Sequence, residues 1–73
     1  MTLSDRIKTI DRNAERDPDA VRRFMDGLRA GGVKLNGQPV IFTYDDTRDL
    51  FQRAGITADR FEELCHIADY ACN

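Results

Sequence analysis

Apolar residues at the start of the chain recur at the three- and four-residue spacing of helices. The first stripe has spacings of four, three and four and consists of Leu3, Ile7, Ile10 and Ala14. Thr2 and Asp5 have the spacing of a capping box, in which each side chain bonds the backbone amide of the other residue. The pattern therefore predicts a helix that begins after Thr2 and buries one face.

A second helix is predicted to begin after Asp17. Pro18 suits the first position of a helix, and an aspartate before it is a good cap. Four apolar residues follow at the i, i+3, i+4, i+7 spacing, namely Val21, Phe24, Met25 and Leu28. Gly31 and Gly32 predict the end of this helix, because glycine adopts left-handed backbone angles without a steric cost.

The middle of the chain has the pattern of a β-hairpin. Val33–Leu35 is followed by the turn-forming pair Asn36-Gly37, and residues 40–44 are rich in strand-favouring side chains. The residues of that second strand alternate between two faces, with Val40, Phe42 and Tyr44 on one and Ile41 and Thr43 on the other. Pro39 has no amide hydrogen, so we expect the returning strand to be an edge there or to begin there.

Two further helices are predicted after the hairpin. The competent caps for the first of them are Asp45, Asp46 and Thr47. Its inner face comprises Leu50, Phe51 and Ala54, and Gly55 predicts its end. Thr57 caps the last helix, with Ile56 and Phe61 at the spacing of a hydrophobic staple. The core stripe of the last helix is Phe61, Leu64, Cys65, Ala68, Ala71 and Cys72, with Ile67 on its flank.

The order of these elements, α-α-β-β-α-α, predicts an α+β fold with four short helices packed on one face of a central hairpin. The chain has 73 residues, of which 41% are hydrophobic and 33% charged, with a net charge of −2. This composition is typical of globular proteins, and the length predicts a single domain over residues 1–73. We expect no cofactor.

Two features bear on location. The longest uninterrupted apolar run is Val40-Ile41-Phe42, which is too short for a membrane span or for the apolar part of a secretory signal. The two cysteines, Cys65 and Cys72, lie about two helical turns apart and cannot bridge each other within one helix. Sparse use of cysteine agrees with a reducing compartment, so we expect a cytoplasmic protein that does not contact a membrane.

The sequence offers few catalytic groups. Ser4 is the only serine and His66 the only histidine, so a hydrolytic triad would require these two residues to meet. No glycine-rich phosphate loop and no paired-cysteine motif is present, and we expect no enzymatic activity. The weak candidates for a metal site are Glu62, His66 and Asp69, which share one face of the last helix. A small metal-binding protein or enzyme that uses His66 is therefore a third hypothesis.

Residues 47–65 resemble the central pattern of helix-turn-helix DNA-binding domains. The similar positions are Leu50, Gly55, Ile56, Thr57, Phe61 and Leu64. The resemblance implies that the last helix enters the major groove of DNA. Two features depart from that family. Phe51 stands where a small residue is usual, and three acids, Asp59, Glu62 and Glu63, would face phosphate groups.

The first two helices offer a second possible nucleic-acid surface. Residues 1–44 contain eight basic and six acidic residues, whereas residues 45–73 contain three and seven. In a winged-helix arrangement the second helix would enter a DNA groove and the hairpin would be the wing. The residues on phosphate would then be Arg22, Arg23, Arg29 and Lys34. Asp19 and Asp26 lie three or four positions from the arginines, so we expect ion pairs within the helix.

The leading hypothesis is a small non-enzymatic protein that binds another macromolecule, with a protein partner ranked first, as a regulator, inhibitor or accessory subunit. A DNA-binding regulator of the helix-turn-helix or winged-helix type is the alternative. The predicted partner-binding residues are Ile41, Phe42 and Tyr44, because a strand over 40–44 has apolar side chains on both faces. Its unpaired edge also predicts a homodimer, with the pairing centred near Phe42.

Overall fold

The computed structural model describes residues 2–70, which form four helices and one antiparallel two-stranded sheet. The elements are α1 (Leu3–Asn13), α2 (Pro18–Arg29), β1 (Val33–Leu35), β2 (Gln38–Val40), α3 (Tyr44–Arg53) and α4 (Ala58–Ile67). This order confirms the predicted α+β fold. Within the described part of the chain, each helix is too short to cross a membrane.

Side chains cap the starts of α1, α2 and α4 where the sequence predicted. Thr2 and Asp5 form the capping box of α1, and the Asp17 side chain accepts a hydrogen bond from the amide of Ala20 at the start of α2. The Thr57 hydroxyl accepts from the amide of Arg60 in α4. Each bond occupies an amide that has no partner within its helix, which stabilises the start of the helix by about 1 kcal/mol.

The predicted start of α3 was wrong. Its cap is Thr43, whose hydroxyl accepts a hydrogen bond from the amide of Asp46 at 3.2 Å, while the Asp46 carboxylate accepts from the amide of Thr43 at 3.1 Å. The helix therefore begins at Tyr44. The predicted caps Asp45 and Thr47 lie inside its first turns, and the Thr47 hydroxyl donates to the Thr43 carbonyl.

The predicted strand over 40–44 was also wrong. The strand β2 ends at Val40, and the next three residues lead into α3. The amide of Phe42 donates a hydrogen bond of 3.0 Å to the Leu28 carbonyl at the end of α2. Because this amide is already bonded, the edge on which a homodimer was predicted to centre does not exist. The oligomeric state itself stays a prediction.

The turn of the hairpin forms as predicted. Asn36 and Gly37 have φ angles of +53° and +79°. Positive φ at both residues is typical of the two-residue turn whose twist matches that of a hairpin. Leu35 then pairs with Gln38, and Lys34 pairs with Pro39. The Leu35–Gln38 pair, which closes the two-residue turn, is hydrogen-bonded. Hydrogen-bonded and non-hydrogen-bonded pairs alternate in an antiparallel ladder, so Pro39, in the next pair, occupies a non-hydrogen-bonded position. Its missing amide hydrogen removes no bond between the two strands.

Three of the helices end with the same hydrogen bond, in which an amide two residues past the cap reaches back to a carbonyl in the last turn. The pairs are Gly32 to Gly27 at 2.7 Å, Ile56 to Phe51 at 3.0 Å and Tyr70 to Cys65 at 2.9 Å. The residue before each donor has left-handed angles. It is glycine after α2 and α3, but Asp69 after α4, with φ of +51°.

The core is built from the predicted apolar stripes and centres on Phe51, which is fully buried. The ring of Phe51 meets that of Phe61 edge-on at 5.0 Å between centroids and that of Phe24 at 6.0 Å. The other buried apolar residues are Ile7, Ala14, Val21, Met25, Leu28, Ala54, Ile56, Leu64, Cys65 and Ala68. The predicted core residues Ala71 and Cys72 lie outside the described residues.

The helices pack in a closed cycle, with α1 against α2 and α3, and α4 against the same two helices. The hairpin lies over this bundle, and Val33 and Phe42 pack against the core. Leu35, at the far end of the hairpin, is 59% exposed, and Ile41 is 70% exposed.

Candidate functional site

A groove of about 430 Å³ runs between the hairpin and the helices α1 and α3. Its apolar lining consists of Leu3, Val33, Leu35, Val40, Phe42 and Leu50. We call it the hairpin groove. Its size falls within the range of protein sites that hold a ligand or a few side chains of a partner.

The alternation of strand residues explains why the hairpin lines this groove. Val33 and Leu35 are two positions apart in β1 and so face the same side, and Val40 is the cross-strand neighbour of Val33. These side chains turn toward the helices. Leu35 lies next to the turn of the hairpin and is largely exposed, although it belongs to the apolar face.

Charged residues of α3 form one rim of the hairpin groove. Asp46, Asp49 and Arg53 line it, and Arg53 Nε lies 3.0 Å from Asp49 Oδ2. Asp46 accepts the capping bond from Thr43 and makes no ion pair with any residue between 2 and 70. This rim therefore carries a net charge of −1, which favours a partner with positive charge at this end.

A smaller pocket of about 130 Å³ adjoins the groove on the other side of Val33. It is lined by Arg6, Arg23, Phe24, Gly27, Leu28, Gly32 and Val33. We call it the arginine pocket. The guanidinium carbon of Arg6 lies 5.2 Å from the centre of the Phe24 ring, at the distance of a cation–π contact. Among residues 2–70, neither Arg6 nor Arg23 forms an ion pair.

The three predicted partner-binding residues do not share a surface. Phe42 lines the hairpin groove and is half-buried. Ile41 lies on the other side, where a Cβ atom at Gly31 would come within 3.8 Å of its side chain. Tyr44 belongs to α3, with its ring 5.5 Å from that of Phe61. The separation follows from the early end of β2, because the strand alternation that grouped Phe42 with Tyr44 does not extend beyond Val40.

The four predicted phosphate-binding residues are all exposed, but they do not form one patch. Arg29 stands over the Tyr70 ring at 5.9 Å, and Arg22 lies on the same flank of α2. Arg23 is about 100° further round the helix, in the arginine pocket. Lys34 lies on the hairpin. The ion pairs predicted between the α2 arginines and Asp19 or Asp26 are not formed.

Arg60 links α4 to α1 and to Glu15 just past its end by hydrogen bonds. Its Nε donates to the Asp11 carboxylate, and one terminal nitrogen donates to the Asp11 carbonyl and to Glu15 Oε1, each at 3.0 Å. The other terminal nitrogen donates to Glu63 Oε1 at 3.0 Å. The hydrogen bond to Asp11 is the main cause of a pKa for Arg60 above its usual value. No pattern in the sequence predicted this cluster.

The same contact affects Glu15. The hydrogen bond from Arg60 holds the pKa of Glu15 below its usual value. A carboxyl group with a lower pKa in the folded chain stabilises the fold above its usual pKa, and the stabilisation is lost as the pH falls through the lowered value. Arg60, a basic residue of α4, is bonded to Asp11 and Glu15. The face of α4 that would read DNA therefore presents the exposed acids Asp59 and Glu62.

The predicted metal ligands lie near one another without converging. Glu62 and His66 line a cleft between α3 and α4 together with Tyr44, Cys65 and Tyr70. Asp69 lies past the end of α4 in left-handed conformation. Across residues 2–70, no three side chains of His, Cys, Asp or Glu are placed to hold a metal ion.

Comparisons of the chain with protein-family models, curated proteins and solved structures find no match. The geometry of the chain itself is therefore the basis for a functional proposal. Sequence reasoning missed three residues that the structure places at the groove and pocket: Leu35, Arg6 and Gly27. The sequence held a usable signal for Leu35, an apolar residue directly before the tight turn and therefore at the tip of the predicted hairpin. Gly27 had another, as a glycine inside a predicted helix.

Proposed function

We propose that this chain is a non-enzymatic cytoplasmic interaction protein that binds an apolar segment of another protein in the hairpin groove. In this role it acts as a regulator, inhibitor or accessory subunit. The observation that carries the proposal is Leu35, a leucine 59% exposed in a groove whose lining is apolar apart from the charged rim of α3. Continuous exposed apolar surface on a small protein is typical of an interaction site.

Burial of apolar surface supplies the driving force. Full burial of one leucine is worth about 1.5–3 kcal/mol, and Leu35 retains more than half of its accessible surface. Few residues dominate the energy of most interfaces, and they lie in pockets from which water is excluded. A partner side chain seated between Leu35 and Phe42 meets that description, because Phe42 is held in place by its backbone bond to Leu28.

The test is selection from a random peptide library displayed on phage, with the purified chain as bait. We expect selected peptides rich in apolar residues whose affinity falls about tenfold or more for Leu35→Lys. Ile41→Lys is the matched control, since it places the same charge at an exposed apolar residue outside the groove. Circular dichroism and thermal melts establish that both variants fold. Absence of selected binders, or equal affinity for Leu35→Lys and the parent, would refute the proposal.

DNA binding is the second candidate, and one observation favours it. Arg22 and Arg23 are exposed and make no ion pair with residues 2–70, so they are available to phosphate. It is opposed by the flanking carboxylates of Asp19 and Asp26 and by the separation of the two arginines around α2. We expect no retardation of duplex DNA at about 0.1 M salt, a regime in which basic DNA-binding domains still associate. Retardation that is lost when Arg22, Arg23 and Arg29 are all changed to alanine would establish this alternative.

A further inference from the structure

We propose that the hairpin groove and the arginine pocket are one continuous site, and that the bound protein segment carries a carboxylate side chain which enters the arginine pocket. The inference rests on the function proposed above and specifies the chemistry of the partner. Its segment has apolar residues for the groove and an aspartate or glutamate for Arg6 and Arg23.

The two parts of the site are contiguous. Val33 lines both the groove and the pocket, so its side chain is the one wall that they share. On α1, Leu3 lines the groove and Arg6 lines the pocket, and residues three positions apart are neighbours on one helix face. A bound segment can therefore pass from one part to the other within about one helical turn, or about 5 Å.

The two parts of this site carry opposite charge. Arg6 and Arg23 both line the pocket, the Arg6 guanidinium lies over the Phe24 ring, and planar guanidinium groups match the geometry of carboxylates. Asp19 and Asp26, the exposed carboxylates on the same helix as Arg23, do not pair with either arginine. At the α3 rim, Asp49 is paired with Arg53, and the remaining charge of Asp46 disfavours an acidic residue. An acidic side chain on the bound segment is thus favoured at the Arg6 end and disfavoured at the Asp46 end.

Gly27 is an independent indication that something approaches the pocket closely. It lies inside α2, where glycine is less stable than alanine. A Cβ atom at Gly27 would meet nothing within 4 Å, so the fold does not require a glycine there. Gly32 differs, since a Cβ atom there would lie 2.8 Å from the Gly27 carbonyl oxygen. Because Gly27 lines the pocket, its missing side chain leaves room for the bound segment.

A protein segment suits this site better than the two other possible occupants. A nucleic acid would place phosphate against the acidic rim at Asp46 and Asp49. A second copy of the chain would need to offer an apolar segment with a nearby carboxylate to a site bounded by its own hairpin. Three walls of the arginine pocket, Phe24, Leu28 and Val33, are apolar, as expected for a carboxylate on an otherwise apolar segment.

The experiment measures the affinity of the tightest peptide from the phage library, labelled with fluorescein, by fluorescence anisotropy. We expect selected peptides to contain an aspartate or glutamate beside their apolar residues. The Arg6→Gln, Arg23→Gln double variant should weaken binding about tenfold. The matched control is Arg22→Gln, an exposed arginine outside the pocket, which should leave affinity unchanged. Replacing the acidic residue of the peptide by its amide should weaken binding to the parent but not to the double variant, because the interaction is then already lost.

A second variant separates binding from folding. Gly27→Ala should raise Tm by about 4 °C, because the helix is stabilised and no clash results, yet it should weaken peptide binding. Weaker binding in a more stable protein cannot be attributed to unfolding. Equal affinity of Gly27→Ala and the parent would contradict the role of this glycine and overturn the inference.

The remaining outcomes are distinct. If Leu35→Lys abolishes binding but the double variant binds as the parent does, the groove functions and the arginine pocket does not, so the inference falls alone. If no peptide is selected, the inference and the proposed function both fail. Sedimentation that shows a dimer which Leu35→Lys dissociates would assign the groove to a second copy and overturn the inference. DNA retardation lost in the double variant would overturn it in favour of nucleic acid.

Discussion

Replacing Phe51 by alanine is the most direct perturbation of the core. Phe51 is fully buried, and its ring lies edge-on to both Phe61 and Phe24. The substitution removes one ring that contacts residues from two other helices. It also places a small residue at the position where helix-turn-helix proteins usually have one.

The expected loss follows from the burial. Phenylalanine to alanine at a buried site costs about 3–5 kcal/mol, which includes the cavity left behind. Two aromatic pairs are lost, each worth about 0.5–1.5 kcal/mol beyond burial, so we expect the upper half of that range, about 4–5 kcal/mol. A domain of 73 residues has a stability of about 4–11 kcal/mol. Phe51→Ala should therefore remove a large fraction of the total stability and leave the chain partly unfolded at room temperature if the parent is at the low end.

The assay is urea denaturation followed by far-ultraviolet circular dichroism, with a reducing agent present. The free energy of unfolding is extrapolated to zero urea with the same slope for parent and variant. Gln52→Ala, at an exposed neighbour in the same helix, is the control and should change stability by less than about 0.5 kcal/mol. A loss below about 1.5 kcal/mol for Phe51→Ala would mean that the ring does not fill the centre of the core, and the packing described above would be wrong.

Three further predictions concern helix ends and the contact between α1 and α4. Asp69→Gly should raise stability by about 0.5–1 kcal/mol in thermal melts, because glycine adopts left-handed angles without strain; a lower Tm would contradict the conformation of this residue. Thr43→Ala should cost about 1 kcal/mol and Asp45→Ala less than half as much, since Thr43 is the cap of α3; equal losses in urea denaturation would restore the cap position predicted from sequence. Arg60→Met should cost about 1–3 kcal/mol, because the partly buried carboxylate of Asp11 loses its partner, and should make Tm less sensitive to salt; an unchanged melting curve would show that the cluster adds nothing.

The helices were predictable because their signals are local. The spacing of Thr2 and Asp5, the Asp17-Pro18 pair and the pattern around Thr57 each satisfy helix starts with residues at most three positions away. Local signals are sufficient when a helix start is completed by its own side chains. The starts of these three helices were therefore predicted correctly, whereas α4 ends at Ile67, before the end of its predicted apolar stripe.

The strand over 40–44 failed because two local signals competed. Val40, Ile41 and Phe42 favour a strand, yet Thr43 and Asp46 have the same spacing as the capping box of Thr2 and Asp5. The capping pattern was present in the sequence and outweighed strand propensity. The bond from the Phe42 amide to a carbonyl of α2 then satisfies the backbone where the strand was expected to continue. Strand propensity is easily overridden by such tertiary context.

The candidate site could not be predicted for a different reason. The groove, the arginine pocket and the Arg60 cluster each depend on how distant segments cross, and Arg60 and Asp11 are 49 positions apart. The spacing of apolar residues shows which face of a helix is buried, but not which other helix that face meets. The sequence predicted exposed apolar residues at Ile41, Phe42 and Tyr44; Ile41 is exposed, Phe42 and Tyr44 are half-buried, and the exposure of Leu35 was not predicted.

The bond between the Phe42 amide and the Leu28 carbonyl allows detachment of the hairpin from the helices to be measured separately from unfolding of the rest of the chain. A ribbon of two three-residue strands does not persist alone in water, so it is ordered only while it lies on the helices. Exchange of the Phe42 amide with deuterium then measures how often the hairpin lifts away, whereas amides within α2 exchange only when the helix itself opens. A segment bound in the groove lowers the population of the lifted state. It therefore slows deuterium uptake at Phe42 even though its contacts with the hairpin are made by side chains.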